Sequence, residues 1–401
     1  MRILFCNYEY PPLGGGGGVV NALLAQELAT RHDVTVLTSQ GLGLPRESVE
    51  GGVRIMRAPV FFRTQQATAG LASLAAFIPM GIRTGRRLLR TARYDLINTH
   101  FALPSGPVGD ALARAGRVPH VLSVHGGDLY DPSKTTSPHR HPLLRSWIRR
   151  LAGRADAVVA QSRNTAENLR RFYAPTLAAT QIPLGIRRPP AGAASRAAFG
   201  IRDDEVVLVT VGRLVARKAM HQLLALMQRL RDEPVRLLIL GSGPEEEPLR
   251  REAQERQVAP RVRFFGHVPY PEKFRVLRMA DVFVSTSQHE GFGLVFLEAM
   301  ACGLPVVCYD HGGQTDVLED GRTGSLAALN DLQGVARGCR RLINQPALRQ
   351  EIGAANERRV EAFFIERCAA RYEELFQQLV AARHPGPGSW QPQPDVAQVP
   401  A

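Results

Sequence analysis

Two hydrophobic periods alternate along this chain. Compact apolar runs bounded by Gly, Pro, Asp or Ser read as buried strands: RILFCNYEY from Arg2, DVTVLTS from Asp33, VRIMRAP from Val53 and YDLINTHFA from Tyr94. PHVLSVHGG, ADAVVAQS and TQIPLGI continue the series to Ile186. Between them, apolar residues recur at helical spacing over Val19–Ala29, Leu71–Arg93, Val108–Ala115 and Leu143–Leu151, with a short helix capped by Asn164. Strands separated by helices imply right-handed crossovers and a parallel sheet.

The rhythm breaks at Arg187–Ala197, RRPPAGAASRA, a stretch of prolines and small residues that reads as a linker. It then restarts with EVVLVTVGRL, VRLLILGSG, VRFFGHV, DVFVSTS and PVVCYD as strands. The expectation is an α/β protein of two doubly wound, Rossmann-like domains. The first would span residues 1–187 and the second residues 188–360. A terminal helix over 361–383 and a disordered Pro/Gly/Gln-rich tail over 384–401 complete the division.

Composition narrows the picture modestly. At 401 residues and 44% hydrophobic, the chain has material for two cores. Five scattered cysteines form no CxxC pair, which points to a reducing, cytoplasmic setting without structural disulfides. The apolar run before Pro11 is too short for a signal peptide, and none approaches a membrane span. The net charge of +13 favours anionic partners, whether nucleotide phosphates, anionic lipid head groups or nucleic acid, but only three of the fifty basic residues are lysine. That skew toward arginine is more a compositional habit than a selected binding surface, and the charge alone does not choose among these partners; the expectation adopted on the motifs below is no nucleic-acid partner.

The lysines matter where they do occur. In TVGRLVARK, Arg213 leaves a strand end and Lys218 precedes the next helix, so both can reach one diphosphate. In SQHEGFGLVFLEAMACGLPVV, a strand end leads through a glycine loop into a helix near Leu294. The backbone N–H groups of Phe292, Gly293 and Leu294 would then face an anion, with Glu290 before the helix and Glu298 one turn inside it. The bland alternative is a strand–turn–helix with a solvated Glu290 and a capping Glu298. Gly14–Gly18, after the first strand, permits a dinucleotide reading, but the second strand ends at Thr38–Ser39 without an acidic residue for a ribose. SVHGGD places His125 at a strand end, where an imidazole can hydrogen-bond a ligand, with Asp128 and Lys134 in the loop that follows.

The Glu290/Glu298 spacing, with GFGL, EAMACGLPVV and GGQTDVLEDGRTG after it, resembles the family-4 retaining glycosyltransferases (glycosyl transferases group 1) of GT-B fold. The similarity runs from the N-terminal glycine loop to about Leu379. It implies two domains facing across a cleft and a C-terminal helix returning to the first. It also implies Glu290 facing the donor sugar, Glu298 on the nucleotide ribose and the Arg213/Lys218 pair on the diphosphate. Gly15 and Gly17 become donor contacts from the first domain, and His125 a cleft histidine. Asp316 departs from the glutamate that many members carry in the GGxxE segment. The implied reaction moves a sugar from a nucleoside diphosphate sugar to an acceptor hydroxyl, with no cofactor. No Asp-x-Asp pair occurs, so metal independence is expected. Two alternatives stay open: an inactive nucleotide-sugar-binding partner protein, and another GT-B enzyme such as a sugar-nucleotide epimerase. LASLAAFIPMGIRTGRRLLRTAR joins an apolar segment to five arginines, which suits either peripheral contact with an anionic inner membrane face, with a lipid-linked acceptor, or a core helix with a basic outer face.

Overall fold

The computed structural model describes residues 1–61, 63, 66 and 69–383; the expected disordered tail and part of the segment between Pro59 and Leu71 lie outside them. The first sheet holds β1 (Arg2–Cys6), β2 (Asp33–Gln40), β3 (Glu47–Glu50), β4 (Val53–Pro59), β5 (Leu96–His100), β6 (His120–Val124), β7 (Ala157–Ala160) and β8 (Thr180–Gln181). Its order is β3-β4-β2-β1-β5-β6-β7-β8. The helices of this half are α1 (Gly16–Ala29), α2 (Leu71–Thr91), α3 (Ser105–Gly116), α4 (Pro142–Ala152) and α5 (Arg163–Phe172). Ile3, Leu4, Phe5 and Cys6 are fully buried, because β1 lies mid-sheet with helices on both faces. Burial of Ile3, Leu4 and Phe5 contributes roughly 1.5–3 kcal/mol each.

The second sheet holds β9 (Val206–Val211), β10 (Val235–Leu240), β11 (Val262–Gly266), β12 (Val282–Val284), β13 (Val306–Tyr309) and β14 (Gly324–Ala327), in the order β11-β10-β9-β12-β13-β14. Its helices are α6 (Met220–Arg229), α7 (Glu246–Glu255), α8 (Tyr270–Met279), α9 (Leu294–Met300), α10 (Leu332–Asn344) and α11 (Pro346–Arg359). α12 (Ile365–Arg383) follows and lays Cys368, Ala369, Tyr372 and Phe376 into the core beneath β1. In both sheets the order reverses beside a central strand, at β1 and at β9. Open α/β sheets bind ligands in the crevice outside such strand ends.

Three local readings change. The Pro45–Gly52 region forms β3, which pairs antiparallel with β4 and so departs from an all-parallel sheet. α5 is capped by Ser162, whose hydroxyl accepts from Thr165 N–H; Asn164 already lies inside the first turn. The terminal helix begins at Ile365, after a 3-10 turn over Val360–Phe363.

Candidate active site

The loops that leave the carboxyl ends of β1, β5, β6, β9 and β12 converge between the two sheets. Glu290 follows β12 and is 7% exposed. One of its oxygens is bonded by Lys218 Nζ, and by Ser287 Oγ at 2.8 Å. Arg217 Nη1 lies 3.1 Å from the other. Burial alone would raise this carboxyl; the Lys218 and Arg217 charges, with the Lys218 and Ser287 hydrogen bonds, overturn that and hold it at about 2. Glu290 is therefore an anion clamped between two cations.

Lys218 ends a 3-10 turn, and Ala219 adopts a left-handed conformation (φ 46°) that turns the chain into α6. Arg213 stands exposed where the chain leaves β9. Thus Lys218 reaches Glu290 in company with Arg217 rather than Arg213. Sequence reasoning passed over Arg217, although its adjacency to Lys218 was the available signal.

Glu298, in α9, is paired with Lys273 of α8 at 2.6 Å, and Lys273 Nζ also lies 4.9 Å from the Tyr270 and Phe274 ring centroids. Lys273 was not foreseen, because nothing near it in sequence ties it to Glu298. α9 is only seven residues long. Its partial terminal charge is small beside the full charges of Lys218 and Arg217, so the cations dominate the local field.

Across the seam stands His125, 8% exposed, its ring centroid 4.5 Å from that of Phe101 and its Nε2 2.8 Å from Nδ1 of His100. Burial pulls the imidazolium of His125 down to about 4 and that of His100 well below the ordinary range. Asp128 accepts from the N–H groups of His125 at 2.9 Å and Ala102 at 2.7 Å. Its carboxylate therefore brackets two strand ends, while burial raises it to about 6 against those hydrogen bonds. Lys134 pairs with Asp131 at 3.2 Å.

Glycines let the domains meet. A Cβ on Gly291 would lie 2.7 Å from the His125 carbonyl, and one on Gly126 would lie 2.8 Å from Gly291 Cα. The Gly291 carbonyl accepts from Ser162 Oγ at 2.9 Å. Gly15 N–H donates to Glu9 at 3.0 Å, and a side chain at Gly17 would strike the Phe101 ring. The glycine loop thus faces the start of α9, with Gly16 nearest Leu294. Among buried groups the sequence did not single out, His289 is 3% exposed and neither ring nitrogen has a partner. Among the described residues no cluster of three or more His, Cys, Asp or Glu is arranged to hold a metal ion.

Residues 193–359 match the family described as glycosyl transferases group 1, and residues 15–185 match the glycosyl transferase 4-like domain. Glycogen synthase of Mycobacterium tuberculosis is 31% identical, over 98% of this chain and 97% of that one. A GDP-mannose-dependent phosphatidylinositol monomannoside mannosyltransferase of Mycolicibacterium smegmatis is 28% identical, over 88% and 92%. Among solved structures, sucrose-phosphate synthase from Thermosynechococcus elongatus superposes with a TM-score of 0.82 at 27% identity, over 95% of this chain and 99% of that one. Anabaena HepE in complex with UDP-glucose superposes at 0.75 with 21% identity, over 94% and 100%.

Proposed function

We propose that this chain, which belongs to the glycosyl transferases group 1 family and has the GT-B fold, is a glycosyltransferase that moves a sugar from a nucleoside diphosphate donor to an acceptor hydroxyl with retention and without a metal ion. The observation that carries the reading is Glu290, ionised between Lys218 and Arg217 at the point where the two domains touch. A donor diphosphate brings negative charge that Lys218, Arg217 and the exposed Arg213 can take up, and Glu290 is then released toward the sugar hydroxyls. Glu298, at the far end of α9, is the ribose ligand, with Lys273 orienting its carboxylate.

Retaining glycosidases set two carboxylates about 5 Å apart across the scissile bond. Glu298 is committed to Lys273 and the ribose, so it is no partner for Glu290 in that sense. Attack therefore occurs on the face the leaving group departs from. The anomeric C–O bond to the β-phosphate breaks as the acceptor oxygen bonds to the same carbon, and the acceptor proton passes to the departing phosphate oxygen. Lys218 and an arginine neutralise that oxygen, which is the work a metal does in other transferases.

Relatives differ in donor, so the base and sugar are left to experiment. A hydrolysis and thermal-shift screen against UDP-, GDP- and ADP-sugars in EDTA tests the whole reading. Turnover of one donor in EDTA supports it, whereas activity that appears only with added divalent cation would overturn metal independence. The anomeric configuration of the product decides retention.

On the acceptor side, no helix of the described residues is long and apolar enough to cross a membrane. α2 buries Phe77, Gly81, Gly85 and Leu88 against the domain and exposes Leu71, Ala72, Ala75 and Pro79 in its first half and Arg83, Arg86, Arg87 and Arg90 in its second. Leu71 apart, the outer face offers charge and little apolar bulk, so contact with an anionic bilayer is mainly electrostatic and reversed by salt. Flotation with anionic vesicles at low and high salt tests this; binding that survives high salt would contradict it.

A further inference from the structure

A run of buried hydrogen bonds leads from α12 to the cleft histidine. Tyr372 Oη donates to Ser123 Oγ at 3.1 Å, and Ser123 Oγ donates to Asn98 Oδ1 at 3.2 Å. Asn98 Nδ2 lies 2.8 Å from His100 Nε2, and His100 Nδ1 lies 2.8 Å from His125 Nε2. His100 and Asn98 are fully buried, Ser123 and Tyr372 nearly so. The last nitrogen, His125 Nδ1, is buried and makes no hydrogen bond of ordinary geometry; the Gln161 side chain is near enough to act on the imidazole, and its Oε1 is likewise unpaired.

A neutral imidazole has one N–H and one lone pair, so the direction of such a run fixes every tautomer in it. Only two directions exist. With Tyr372 donating, each hydrogen in turn finds an acceptor, and the single unmet hydrogen is His125 Nδ1–H. The reverse direction needs the Asn98 amide flipped and leaves one hydrogen unmet on the Ser123 or the Tyr372 hydroxyl, both buried beneath β5 and β6, where an orphaned donor costs about 1–3 kcal/mol. Forward leaves its loose end where the His125 main chain meets the donor loop, so a substrate oxygen can supply the acceptor; reverse leaves it where no substrate comes.

We infer that His100 is a positioning residue that commits His125 to the Nδ1–H form, so that His125 donates a hydrogen bond to the transferred group and cannot act as the base that deprotonates the acceptor. The His125 lone pair sits on Nε2 and is taken by His100. This rests on the placement of His125 in the reaction cleft proposed above. It also removes His125 as a rival to the departing phosphate for the acceptor proton.

The test is 15N-histidine NMR on the full chain at neutral pH, with the His125 signals identified by their loss in His125→Phe. Expected is a protonated Nδ1 and an unprotonated Nε2 at His125. Asn98→Asp presents only acceptors to His100, which reverses the run and should move the His125 proton to Nε2. His100→Gln keeps a group near the old Nε2 and vacates Nδ1; it should mix the two His125 tautomers and lower kcat roughly tenfold with donor KM unchanged. His100→Asn, with an amide near the Nδ1 position, should recover most of that loss. A proton on Nε2 in the wild type, or on Nδ1 in both Asn98→Asp and His100→Gln, overturns the assignment. Wild-type turnover by His125→Ala would instead remove His125 from the reaction while leaving the tautomer standing, so the two failures are distinguishable.

Discussion

Glu290 and its two cations can be separated by charge alone. Lys218→Met takes away the nearer cation and leaves Arg217, so the fold should persist while kcat drops by about 10²- to 10³-fold, the usual cost of one transition-state donor. Circular dichroism and donor turnover on the same sample check both halves. The depressed Glu290 carboxyl has a second consequence. Its folded value, about 2, lies below the ordinary 4.5, so its contribution is whole above pH 4.5 and drains away as pH falls toward 2. The pH-dependent part of the stability gap between wild type and Glu290→Gln should therefore span about 3 kcal/mol across that window. Denaturant titrations at several pH values measure it, and a gap that widens on acidification would contradict the ion-pair account. Glu290 and Lys218 were legible in the sequence because each sits at a fixed distance from a strand end. Arg217, Lys273, His100 and His289 were not. Glu290, Glu298 and His125, the partners of Arg217, Lys273 and His100, lie at least 25 residues away, and neither ring nitrogen of His289 has a partner at all; neither spacing nor period encodes contacts made only when distant loops of one domain are folded together.

Elements were legible where a period ran long and illegible where geometry is set by one residue. The α/β alternation exposed every parallel strand before residue 310, but β3 has only four residues and is mostly exposed, so it carries no hydrophobic signature. The Asn164 cap failed because Ser162 and Asn164 both carry capping side chains, and only the Ser162 hydroxyl reaches Thr165 N–H. At the start of α9, Gly293 has φ +89° and precedes the helix without a side-chain cap. A Cβ there adopts a strained conformation and meets the Phe296 ring. Gly293→Ala should cost about 1–3 kcal/mol and displace the Phe292 and Leu294 amides together. Lower melting temperature with weakened nucleotide binding is the expected pair of results. Lost stability with unchanged nucleotide affinity would mean that the loop amides are not donor ligands.

Two chain crossings join the domains, and they run side by side: Ile186 N–H donates to the Phe363 carbonyl at 3.0 Å, and Ile365 N–H to the Ile186 carbonyl at 2.8 Å. With the hinge so confined, contacts at the far lip of the cleft decide how far it stands open. One such contact is built from Asp316, the residue that departs from the family's usual glutamate. Its Oδ2 accepts from the Arg163 N–H at 2.6 Å, at the first turn of α5, while its Oδ1 meets the Arg163 guanidinium at 3.0 Å. A carboxylate of the second domain thus supplies part of the N-terminal cap of a helix in the first. The Arg163 side chain is 64% exposed, so the ion pair itself contributes at most about 1 kcal/mol, and the cap about as much again. Asp316→Ala should therefore shift the closed-to-open ratio by roughly 5- to 30-fold without touching Glu290, Lys218 or His125. Small-angle scattering should find the free variant more extended than wild type and a saturating donor should contract it again, with kcat/KM reduced by a similar factor. Asp316→Glu keeps the carboxylate and should fall between the two. If Asp316→Ala leaves both scattering and kcat/KM unchanged, this cap does not set closure, and the Ser162–Gly291 contact becomes the next place to cut.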